Sequence, residues 1–289
     1  MTVLKTCMAT VSLGGSLDEK LDAIAAAGFE GVELLDEDLC ESRLTPAECA
    51  KRCADLGLTI DLYQPFRRAE GVPAEEFVAV QERFRRHLGV MAQLGVCSIL
   101  VVSNTDQDAD PSRDCSVTQL AALADVAAEH GITICFEALA WGTHISRVAD
   151  AWDAVRTAAH PNLTLVVDTF HLLAGGEDAA VLEALPPGAV AFLQLADAPW
   201  LATDYLSWSR GHRCFPGEGE MDLRTPVSAV VAGGYSGPLS LEIFNPGYRE
   251  RSPHEVALQG AVALERFLDE LPDTSPAHPM SAPAPSAES

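Results

Sequence analysis

Gly131-Ile132-Thr133-Ile134-Cys135-Phe136-Glu137, then Val148 to Ala159, then Leu163-Thr164-Leu165-Val166-Val167-Asp168-Thr169-Phe170-His171 is the stretch on which the fold turns. Ile132–Phe136 and Leu163–Val167 are apolar, short and partly β-branched, and glycine precedes the first. Runs of this length read as strands buried on both faces, as in a parallel sheet. Val148–Ala159 between them spaces its apolar residues as a helix does. Strand, helix, strand in this order requires a right-handed crossover. Each strand ends on an acid, Glu137 and Asp168.

The same unit repeats outward in both directions. Strand patterns fall at Val3–Met8, Gly31–Leu35, Thr59–Leu62 and Cys97–Val102 before it, and at Val190–Leu195 and Pro238–Ile243 after it. Helical patterns fall at Ser16–Ala27, Pro46–Leu56, Ala74–Leu94, Val117–His130, Ala179–Leu185, Leu223–Ala232 and Pro253–Leu271. Gly28, Gly57, Gly95, Gly131 and Gly234 stand where a helix stops and a strand begins. Eight such units in 289 residues predict an α/β chain folded as one (β/α)8 TIM-type barrel over residues 1–271. An open doubly wound sheet is the competitor, but no G-x-G-x-x-G follows the first strand. Pro272–Ser289 is rich in Pro, Ser and Ala without apolar periodicity and reads as a disordered tail.

Composition narrows the function classes. Hydrophobic residues make up 48% and aromatics only 6%, which suits aliphatic barrel strands and their covering helices. A formal net charge of -23 without a Lys/Arg run argues against nucleic acid. No opening segment reads as a signal peptide, and no apolar stretch is long enough to span a bilayer. The eight cysteines contain no C-x-x-C pair, so a reduced, cytoplasmic protein is expected. Cys7, Cys97 and Cys135 read as small core residues. His144, after Trp141-Gly142-Thr143, reads as a solvated loop residue.

Barrel enzymes carry their chemistry at the C-terminal strand ends. Four consecutive strands offer Glu137, Asp168, Gln194 and Glu242 there, each beside apolar neighbours. Such carboxylates converging on one axis repel unless a cation neutralises them. Oxygen donors suit a hard divalent ion. A lone strand-end acid is ordinarily a helix cap, but four strand-end oxygen donors in succession predict one shared metal site.

This series, with His171 three residues after Asp168, resembles the xylose-isomerase-like barrels of sugar isomerases and epimerases. Longer strings narrow it: Ala9-Thr10-Val11-Ser12-Leu13, Gln64-Pro65-Phe66-Arg67, Phe136-Glu137-Ala138-Leu139-Ala140-Trp141-Gly142, Leu193-Gln194-Leu195-Ala196-Asp197-Ala198-Pro199, and Ser209-Arg210-Gly211-His212-Arg213-Cys214-Phe215-Pro216-Gly217-Glu218-Gly219. Together they resemble bacterial 3-dehydroshikimate dehydratases, which make protocatechuate.

That resemblance implies a lyase holding one divalent ion (Mg²⁺, Mn²⁺ or Co²⁺) and a small-molecule substrate with a ring ketone, hydroxyls and a carboxylate. The resemblance also implies the roles that follow. Arg67 and Arg213 are expected to clamp the carboxylate, since a guanidinium binds it through two parallel hydrogen bonds. Ser209 is expected to donate to the same ligand. His171 and Glu137 are the candidate acid–base residues, His171 because imidazole works near neutral pH. Its competing role is to orient a ligand carboxylate. Some relatives continue into a dioxygenase-like domain, for which this sequence has no room, and self-association is compatible with the reading. The alternative is a sugar or keto-sugar isomerase or epimerase on the same metal barrel, which has no need of an arginine clamp. A relative of the endonuclease IV repair enzymes wants more histidines and a basic groove. A non-catalytic barrel would not need the intact ligand series.

Overall fold

Eight parallel strands close on themselves in chain order in the computed structural model, which describes residues 4–271. They are β1 (Lys5–Ala9), β2 (Gly31–Leu35), β3 (Thr59–Phe66), β4 (Ser98–Val102), β5 (Thr133–Glu137), β6 (Leu163–Asp168), β7 (Val190–Leu195) and β8 (Pro238–Leu241). β1 pairs with both β2 and β8, which closes the ring. Pro272–Ser289, read above as a tail, lies outside the described residues.

The helices shield the outside of the barrel. Val80, Phe84, Leu88, Met91 and Leu94 recur at helical spacing along Ala74–Leu94, and this stripe is buried against the sheet. Burying one such side chain contributes about 1.5–3 kcal/mol. The helix stops at Gly95, whose φ of 70° is left-handed and therefore suits a residue without Cβ.

Inside the ring lies a smaller apolar layer: Cys7, Leu62, Leu100, Cys135, Val166 and Phe192. Side chains alternate faces along a strand, so the residue two further on also faces inward. From Cys135 that is Glu137, from Val166 Asp168, and from Phe192 Gln194. Register sets them side by side, Val102 against Glu137 and Asp168 against Gln194. An apolar plug thus floors a polar layer at the C-terminal end.

Three expectations change. β3 runs to Phe66 rather than Leu62, since Gln64 pairs with Leu35, and Pro65 sits where the register to β4 shifts. The helix expected at Val117–His130 spans Arg113–Ala128, because its polar first turn carries no apolar signal. Cys97 is exposed, just ahead of β4, whereas Cys7 and Cys135 are buried as expected. Short helices at Asp36–Glu41, Thr169–Ala174, Tyr205–Gly211 and Pro246–Arg249 also occupy loops at the C-terminal face.

Candidate active site

Glu137 and Asp168 close β5 and β6, Gln194 lies on β7, and Glu242 follows β8 directly. All four are buried. Asp168 also caps the helix Thr169–Ala174, accepting from the Phe170 amide at 2.6 Å. That turn brings His171 back over the cluster. Its Nε2 lies 3.8 Å from Glu137 Oε1 and 3.7 Å from Asp168 Oδ2. Glu137, Asp168 and His171 each offer a ligand atom, all within 4.8 Å of one another. Gln64 joins from β3, donating to Glu242 Oε1 at 3.0 Å.

Arg213 is placed differently from the expectation. It is fully buried, and Nη1 donates to Asp168 Oδ2 at 2.7 Å and Glu242 Oε2 at 2.9 Å. Nη2 reaches Ser209 Oγ at 2.9 Å and His171 Nε2 at 3.1 Å. Arg213 is thus the internal counter-charge of the cluster, and Ser209 supports it.

The charges show how much one guanidinium can do. Burial opposes the Asp168 carboxylate, but Arg213, His171 and the Phe170 amide together hold the group below its ordinary range. Burial raises Glu137 well above its ordinary value, and repulsion from Asp168 adds to this. Glu33 and Glu242 are also raised, by burial first. Burial drives His171 down to about 3, so the ring is neutral. Four buried carboxyls therefore face one buried cation.

Two acceptors in this layer, Glu137 Oε1 and Gln194 Oε1, are buried without a hydrogen-bond partner. Orphaned buried oxygens are costly unless something neutralises them. With the excess of carboxyls, this set of oxygen donors fits a divalent cation.

A sequence model described as xylose isomerase-like TIM barrel matches residues 21–267. The chain belongs to this family. It is 43% identical to a Pseudomonas putida protein and 45% identical to a Pseudomonas aeruginosa protein, both named 3-dehydroshikimate dehydratase, over 92% of its length. It spans 42% of the length of each of those relatives. A solved structure described as a xylose isomerase-like TIM barrel/4-hydroxyphenylpyruvate dioxygenase fusion protein superposes with a TM-score of 0.89 at 40% identity. It covers 98% of this chain and 47% of that one.

The xylose isomerase-like barrel opens at a mouth walled by Pro65, Arg67, Trp141, Arg210 and Phe244. Arg67 is exposed, as a rim residue should be. Arg210 was missed in the sequence, where nothing separates it from its neighbours. Its guanidinium lies 4.1 Å from the Phe244 ring centroid. Burial, then repulsion from Arg67, lowers its pKa. Among the described residues, neither Arg67 nor Arg210 has a carboxylate within salt-bridge distance.

Both nitrogens of His171 face donors, the Ala140 amide at 3.2 Å and Arg213 at 3.1 Å. A neutral imidazole accepts at only one. The charged guanidinium is the stronger donor, which favours an unprotonated Nε2.

Two motif strings turn out to support loops. Asp197 accepts from the amides of Ala198, Gly217, Gly219 and Met221 at 2.8–3.0 Å. A Cβ on Gly219 would meet Asp197 Oδ1 at 2.3 Å, so only glycine fits. Ser12 bridges the end of β8, donating to the Leu241 carbonyl and accepting from the Ile243 amide. His144 is not solvated as expected. Its side chain is 8% exposed and meets Glu70 at 2.7 Å and Ser116 at 3.0 Å, tying two rim loops to the helix Arg113–Ala128.

Proposed function

We propose that this barrel dehydrates 3-dehydroshikimate to protocatechuate with a divalent ion, Mg²⁺, Mn²⁺ or Co²⁺, held by Glu137, Asp168, Gln194 and Glu242. The observation that carries the reading is a buried acidic cluster in one pocket with two arginines that have no carboxylate within salt-bridge distance among the described residues. An anionic substrate suits those arginines better than a neutral sugar does. The two Pseudomonas relatives bear the dehydratase name, and the fusion structure is described as joining a barrel of this kind to a 4-hydroxyphenylpyruvate dioxygenase.

The ion would supply Lewis-acid charge for the substrate's ketone oxygen. The residues of the chain do the rest. Arg67 and Arg210 hold the carboxylate at the mouth, and Ser209 with Arg213 lines the inner wall. His171, neutral and buried, takes the proton α to the ketone at Nε2. The hydroxyl β to the ketone leaves as water, taking up the proton that His171 has just received, while Glu137 stays ionised as a ligand of the ion. Loss of one further ring proton to the ketone oxygen completes the aromatic diol. Trp141, whose ring lies 4.9 Å from that of His171, walls the reacting face from water.

The test is purified protein with 3-dehydroshikimate and Mg²⁺ or Mn²⁺. Protocatechuate absorbance should grow and should stop on chelation. Full turnover in metal-free protein would remove the metal. No product with any ion, alongside epimerisation of keto sugars, would replace the substrate.

A further inference from the structure

We propose that Glu33 is a positioning residue that selects the orientation of the Gln194 amide, so that Gln194 offers oxygen rather than nitrogen to the ion. The inference rests on the metal reading above but not on the choice of substrate.

Glu33 sits in the middle of β2, at no exposure, where an acid has no solvent to face. Its register partners are Ala9 on β1 and Leu62 on β3, and Leu62 belongs to the barrel interior. From there it reaches across the ring. Oε1 accepts from Gln194 Nε2, and Oε2 accepts from Ser240 Oγ at 2.7 Å. Both carboxylate oxygens are therefore engaged by donors.

A carboxamide is planar, with nitrogen and oxygen on opposite arms. A carboxylate attracts the NH2 arm and repels the oxygen arm. Glu33 therefore turns Nε2 toward itself and Oε1 away. That Oε1 is one of the two buried acceptors of this layer without a partner. Rotated by half a turn, the amide would face Glu33 with oxygen and present two N–H donors to the place where a cation belongs. Ser240 matters as well: its hydroxyl occupies the other Glu33 oxygen and keeps the carboxylate from rotating off Gln194.

The experiment is Mn²⁺ binding by titration calorimetry on the full chain, with melting temperature of the metal-free protein as a control for folding. Glu33→Gln keeps the shape but can meet either arm of the amide. It should weaken Mn²⁺ binding about 10–100-fold, the usual loss when a residue behind a ligand is changed. The reversed pair Glu33→Gln with Gln194→Glu restores one donor facing one carboxylate and leaves an oxygen aimed at the ion. It should recover at least a tenfold part of that loss. In a Gln194→Ala background, Glu33→Gln should add no further loss. Unchanged Mn²⁺ affinity in Glu33→Gln, or the same loss with and without Gln194, would overturn the inference alone. Wild-type protein that binds no divalent ion would overturn the metal reading and the inference with it.

Discussion

Arg213→Met is the most informative single change, because Arg213 is the one buried cation among four buried carboxyls. The side chain is 1% exposed and donates to Asp168 and Glu242 at 2.7 and 2.9 Å. Removing one partner of a buried ion pair costs about 3–5 kcal/mol. The bared carboxyls can protonate instead of remaining charged, so the lower end, about 3 kcal/mol, applies. At roughly 2–4 °C per kcal/mol for a chain of this size, metal-free Arg213→Met should melt about 6–12 °C below metal-free wild type. Mn²⁺ neutralises the same carboxylates, so it should close at least half of that gap. The assay is thermal denaturation of both proteins, chelated and with saturating Mn²⁺. An equal gap with and without the ion would refute the idea that the two cations serve the same oxygens. No gap in the metal-free proteins would refute the counter-charge role itself.

Arg210→Lys should raise KM for 3-dehydroshikimate about tenfold with kcat little changed, because a charged hydrogen bond at a half-open mouth is worth about 1.5 kcal/mol; an unchanged KM would take Arg210 out of the clamp. His171→Asn should lower turnover by about 10²–10⁴ while metal content stays normal, and solvent exchange of the substrate's α-proton should stop with it. His144 is raised above its ordinary 6.5, first by its hydrogen bond to Glu70. A raised pKa adds stability that is complete below 6.5 and fades as pH climbs through the folded value, so the melting gap between wild type and His144→Gln should shrink with rising pH, and a gap that widens would contradict the pairing.

The barrel was readable because its signals are periodic. Short apolar runs and glycine-stopped helices repeat, and position at a strand end carries chemical meaning. Glu137, Asp168, Gln194 and Glu242 came out of that rule together. Glu33 did not, although Gly31-Val32-Glu33-Leu34-Leu35 held the clue: an acid in mid-strand between apolar neighbours needs buried donors. A strand-end rule looks two positions too late for it. Arg213 was expected at the substrate carboxylate; its burial against Asp168 and Glu242 was not legible, because no one-dimensional pattern gives burial to a loop side chain. Arg210 has the same difficulty in reverse, since what marks it is the lack of a carboxylate within salt-bridge distance among the described residues. His144 was read from its loop alone, while Glu70 and Ser116, far off in sequence, decide its surroundings.

The Asp197–Cys214 bridge has a consequence for how this barrel changes over time. The Asp197 and Cys214 main chains exchange hydrogen bonds at 3.0 and 2.8 Å. Everything between them, Trp200, Tyr205, Ser209, Arg210 and Arg213 included, is an excursion pinched shut at its base. Lengthening such a loop costs little, because closure entropy grows only logarithmically. The pinch fixes the two ends of the excursion relative to each other, so a change of length at its tip need not move β7 or β8. Residues 199–207 can therefore change in length with little effect on the strand ends, whereas Arg213, which donates to Asp168 and Glu242, and Ser209, which supports it, must keep their places.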